Sequence, residues 1–168
     1  MKMSNIPRRI SVALTVLATC FACSSAATAQ DTDLIRRAVT MTQSGGPLFQ
    51  NLGTNTAANI QAIGISYADQ VRTAIGTGNQ TRVNKLIRQF QQNAAKATRA
   101  GLTEGMDNIA EMTEKMDTLI GAASKPETVA QLQLYRGILV SAHDTARVQI
   151  RTAFNSARDA VANAANGN

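Results

Sequence analysis

His143 is the only histidine in the chain, and imidazole is the side chain most suited to acid–base work or metal binding near neutral pH. Asp144 adjoins it. On a helix, however, consecutive residues point about 100° apart, so Asp144 cannot orient the ring as a catalytic triad requires. Met41, Met106, Met112 and Met116 offer a second axial ligand for a haem iron. Methionine at helical spacing is ordinarily core filler, and the six aromatic residues form no pattern that would line a porphyrin. The motifs C-x-x-C-H, H-E-x-x-H, G-x-S-x-G and G-x-x-x-x-G-K-[ST] are absent. The expectation is a non-enzyme with no catalytic residue, no metal and no cofactor. A small metal or haem carrier using His143 and a methionine is the alternative.

The charged residues fall into blocks. Glu104, Asp107, Glu111, Glu114 and Asp117 follow one another with Lys115 as the sole cation among them. The first four lie within about 80° on a helical wheel. A hard cation such as Ca²⁺ needs oxygen ligands from more than one turn or helix, so a solvated face with a Glu111–Lys115 i,i+4 pair is expected. Arg72, Arg82, Lys85, Arg88, Lys96 and Arg99 occur with no acid between Asp69 and Glu104. Arg136, Arg147, Arg151 and Arg158 share a strip about 60° wide beside an apolar stripe. That strip is the candidate interaction surface, with polyanion binding as a further alternative. Aromatic residues do not interleave with the cations as in single-strand binders, so nucleic acid is not the expected partner. The expected arrangement is intramolecular, with the arginine strip along the Glu104–Glu114 face at one bundle edge.

The first 29 residues read as a targeting segment. Lys2, Arg8 and Arg9 precede an uncharged apolar run over residues 10–22, and Ala27-Thr28-Ala29 forms an A-x-A cleavage signal. The run is shorter than the roughly 20 apolar residues of a membrane-spanning helix. Cleavage after Ala29 would make Gln30 the first residue of an exported domain, 30–168, that is periplasmic or secreted. Lipidation at Cys20 or Cys23 is the rival reading and would alone imply membrane contact. Arg8-Arg9 is a weak twin-arginine signal. Removing 1–29 takes both cysteines, three of the seventeen Lys/Arg and none of the eleven acids, which leaves a net charge of +3. Without cysteine, the domain must hold together by packing alone.

The remaining sequence reads as all-α, an elongated antiparallel helical bundle. Apolar residues recur at spacings of three and four in four sets. These are Ile60, Ile63, Tyr67, Val71, Ala74; Val83, Ile87, Phe90, Ala94, Ala97; Leu102, Met106, Ile109, Met116, Ile120; and a long run from Leu132 to Val161. Ser44-Gly45-Gly46-Pro47, Gly76-Thr77-Gly78-Asn79 and Gly121 with Ser124-Lys125-Pro126 punctuate them. The expected helices are 31–43, opening at an acidic cap near Asp31-Thr32-Asp33, then 55–76, 80–120 and 126–164. A break near Gly101 or Gly105 is left open, and the tail from Asn163 is expected to fray. No internal repeat is evident. A core rich in alanine implies modest stability unless the chain self-associates. The function expected is a binding or assembly component of the bacterial envelope, with another envelope or secreted protein, or a second copy, as partner.

Overall fold

The computed structural model describes residues 29–167. The expected targeting segment, with Cys20 and Cys23, lies outside them except for Ala29, the first residue of the first helix. Three helices pack against one another: α1 (Ala29–Gly76), α2 (Gln80–Ala122) and α3 (Pro126–Ala165). The fold is an all-α bundle, and the described residues contain no strand. At 1.5 Å per residue the helices run about 60–72 Å, so the bundle is a rod. Short turns make α1 and α2 antiparallel, and α2 and α3 likewise. α1 and α3 are therefore parallel, and they form the most extensive pairing.

The two expected helices at 31–43 and 55–76 are one. Ser44-Gly45-Gly46-Pro47 lies inside α1 rather than ending it. The reason is local: Pro47 would clash with the Cβ of the preceding residue, and Gly46 has none. Pro47 and Gln43 are both exposed, so the Gln43 carbonyl that loses its helical donor can turn to water. Burial continues through the segment at Thr42, Gly45 and Phe49.

That continuity has a period. Buried or half-buried residues on α1 recur at 3-4-4 spacing: Leu34, Ala38, Thr42, then Gly45, Phe49, Gly53, then Thr56, Ile60, Gly64. On α2 the series Leu86, Phe90, Ala94 is repeated eleven residues on by Ala97, Gly101, Gly105, and again by Asn108, Met112, Met116. On α3, Thr128, Leu132, Tyr135 map onto Leu139, His143, Ala146 and then Ile150, Phe154, Ala157. An 11-residue repeat gives about 3.67 residues per turn, close to that of a straight α-helix, with at most a gentle right-handed supercoil. The internal repeat is thus one of burial pattern, which residue identity conceals.

Glycine fills several inward positions because the helices are close. A Cβ on Gly53 would lie 2.9 Å from the Cα of Ala146, and one on Gly64 the same distance from the Cα of Ala157. Gly101, facing Thr56, and Gly105, facing Leu52 and His143, do not break α2. They carry its inner face there, so the third apolar set is rotated from its expected place and Met106 is 62% exposed. The connections follow sequence chemistry in part. Gly78 has φ +69° and Asn79 caps α2, accepting from the Arg82 amide at 3.0 Å. Gly121 is not a cap, since α2 ends at Ala122 with Ala123 as C-cap. Lys125 caps α3 with Pro126 in its first turn. The last turn of α3 is also anchored, because Ala164 is fully buried.

Candidate functional site

The core divides into two apolar clusters. One gathers Ile60, Val71, Phe90, Ile150 and Val161 near the α1–α2 turn. The other gathers Leu34, Met116, Leu119, Leu132 and Leu139 near the α2–α3 turn. Between them is a waist of small and polar residues around Phe49, and there His143 sits. Placed at 100° per residue, it falls between the apolar stripe and the arginine strip, yet it is only 6% exposed. The 3-4-4 pattern of α3 carries position 143 inward together with Leu139 and Ala146.

The imidazole meets Phe49 edge-to-face, with ring centroids 5.5 Å apart. Its other edge faces Gly105, where a Cβ would lie 3.5 Å from Cδ2, in ordinary contact. Asp144 Oδ1 is 3.6 Å from Nδ1, too far for a good hydrogen bond. Nε2 has no hydrogen-bond partner among the described residues, and the same holds for Thr98 Oγ1 and Gln149 Oε1. Burial holds the His143 pKa below its usual value; Asp144 opposes that shift and Arg147 adds to it. This is a neutral imidazole packed between helices. A porphyrin held by His143 would need the space that Phe49 and the α2 backbone occupy. Of the candidate methionines, Met116 is buried in the cluster near the α2–α3 turn, Met112 packs beside Gly45, and Met106 faces solvent. Among the described residues no three His, Cys, Asp or Glu side chains converge to hold a metal ion. No helix among them is long and apolar enough to cross a membrane.

The arginine strip runs along the α2-facing edge of α3. Arg136 reaches across to Asp117, Nε to Oδ1 at 2.7 Å. The other expected cross-helix pairs are replaced by local ones. Arg147 binds Asp144 at 3.2 Å and Arg158 binds Asp159 at 3.2 Å, both on α3. Glu111 binds Lys115, as the i,i+4 spacing implies, and this pairing lowers the Glu111 pKa. Glu104 and Glu111 miss the strip for a geometric reason. Asp117 marks the flank of α2 that faces α3, and Glu104 and Glu111 are about 120–140° around the helix from it.

The acidic cluster at the start of α1 also acts differently from a cap. Asp31 is fully buried within α1. Its carboxylate accepts from the Ser124 amide at 3.1 Å and the Ser124 hydroxyl at 2.8 Å, tying α1 to the α2–α3 connection. Gln30 adds a bond from its side-chain amide to the Ala122 carbonyl at 3.3 Å. Nothing in the sequence links positions 93 apart, so this contact was not readable from it.

Charge separates along the rod. In the half nearest the α1–α2 turn, Arg72, Arg82, Lys85, Arg88, Lys96, Arg99, Arg151 and Arg158 meet only Asp69 and Asp159. Nine acids and six cations occupy the other half. Of the fourteen Lys/Arg among the described residues, eight have no ion-pair partner there, Arg151 included. Comparison with protein families, curated proteins and solved structures finds no match to this chain.

Proposed function

We propose that the protein is exported and serves as a non-enzymatic binding or assembly component of the bacterial envelope, periplasmic or secreted, acting through the surface of a helical rod. The observation that carries this reading is the charge left unpaired outside the bundle. Eight unpaired cations and a separation of sign along the axis are poor investments in self-stability and good ones in association. The buried imidazole, by contrast, is closed in by Phe49 and the α2 backbone. Export rests on the three-part segment ending at Ala29. Intact-mass spectrometry of the protein recovered outside the cytoplasm tests it, with a mature chain starting at Gln30 expected. An uncleaved chain in the cytoplasm would overturn it, and a diacylglycerol-modified Cys20 or Cys23 would replace the soluble form with an anchored one.

Polyanion binding through the arginine strip is the second reading. It is favoured by the excess of cations around the α1–α2 turn, where Arg151 and Arg158 lie. Salt-dependent retention on heparin, lost in an Arg151→Gln/Arg158→Gln variant, would support it.

A further inference from the structure

We infer that a second copy of this chain docks antiparallel along the outward face of α2. This deepens the proposed role by naming a partner, and it stands or falls on the purified protein, independently of export. The outward face carries Lys96, Arg99, Glu104 and Asp107, all exposed and all without an ion-pair partner among the described residues. Their order is self-complementary. Lys96 and Asp107 are equidistant from the midpoint between Gly101 and Leu102, and so are Arg99 and Glu104. Arg88 and Glu114, also exposed and unpaired, centre half a residue away, on Gly101. A two-fold axis at that midpoint sets Lys96 of one α2 opposite Asp107 of the other, and it brings Arg99 and Glu104, about 140° apart around the helix, to the same height on the two flanks of the strip.

Shape and length agree with the charge. Ala95, Ala100 and Thr103 line an open groove between the basic and acidic pairs, and small side chains let two helices approach closely. The 11-residue period keeps α2 nearly straight over its 43 residues. A strip about 64 Å long and 10 Å wide covers about 600 Å² per copy, within the range of specific dimers. Lys115, the one cation in the acidic half of α2, is already held by Glu111. A polyanion would account for the basic half of this face and leave the acidic half, of matching spacing, without a role. An antiparallel copy uses both, and it also sets the positive end of each rod beside the negative end of the other.

Light scattering coupled to gel filtration tests the pairing. The purified protein should have the mass of two chains in dilute buffer and shift toward one chain as salt rises. A Lys96→Glu/Arg99→Glu variant and a Glu104→Lys/Asp107→Lys variant should each be monomeric with unchanged helicity. Mixed together they should restore a two-chain particle, and so should a single chain bearing all four swaps. In a Gln92→Cys/Glu111→Cys chain, antiparallel pairing predicts 92–111 cross-links between copies rather than 92–92. A monomer in dilute buffer, or a dimer whose mass neither swap alters, overturns the proposal. So does a monomer whose basic swap abolishes heparin retention, an outcome that assigns the basic half to a polyanion.

Discussion

His143 shows how a titratable side chain becomes structural when its helix turns it inward. Two of the three elements around it bring no charge near the ring. α1 has no charged residue from Ala38 to Ala68, and α2 presents the backbone of Gly105. Only Asp144 and Arg147, on its own helix, act on it, and burial outweighs them in lowering the pKa. The sign follows. The unfolded imidazole titrates near 6.5, and the folded one below that. Between those values the unfolded chain binds the extra proton, so stability is full above about pH 6.5 and falls as pH drops through the folded pKa. His143→Leu should remove this loss. The melting temperature of the variant relative to the parent should rise between pH 7.5 and pH 5.5. At pH 7.5 it should not fall below the parent, because the unpartnered Nε2 is gone. A difference that does not change with pH would mean that His143 is solvated.

At the scale of the elements, glycine decides how α1 meets α3. Gly64→Ala would place a Cβ 2.6 Å from that of Ala157, which forces the helices apart and should cost about 1–3 kcal/mol. Gly137→Ala meets nothing within 4 Å and should stabilise by about 0.5–1 kcal/mol through helix propensity alone. Urea unfolding of both variants measures the contrast, and equal effects would mean that α1 and α3 are not in close contact. The same residue type misled the sequence reading, since glycine signals a turn by default. Gly76-Thr77-Gly78-Asn79 is a turn, and Gly45, Gly53, Gly64 and Gly101 are contact points. The distinguishing sign is position: each of those four falls on the 3-4-4 series of buried residues.

For the whole molecule the question is what its surface charge does. Arg147 has only Asp144, three residues earlier on α3, and Arg151 has no ion-pair partner among the described residues. Exposed pairs contribute about 0.2–1 kcal/mol, so Arg147→Gln/Arg151→Gln should cost less than about 1 kcal/mol. Thermal melting and heparin retention on this one double variant separate two roles. A small loss of melting temperature with unchanged retention makes the strip a solvated edge, and unchanged melting with lost retention makes it a polyanion site. Self-association through α2 should be indifferent to it, because the pairing face belongs to another helix.

The sequence by itself determined that the described residues are helical, where the α1–α2 and α2–α3 turns lie, and which apolar residues of the last helix point inward, though not His143. Spacings of three and four and the Gly78-Asn79 and Pro126 signals suffice for that, because they act within a turn or two of chain. It also showed the charge blocks and the arginine strip as local facts. Only the tertiary structure decided that residues 31–76 form one helix. The Gly46-Pro47 pair is compatible with either a break or a helix, and burial against α3 selects the helix. The partners of Asp31, of Arg136 and of the buried ring of His143 likewise depend on how far each helix is rotated and how close its neighbour comes. Backbone approach at Gly53 and Gly64 sets both quantities, and a linear pattern of residue types carries no measure of either.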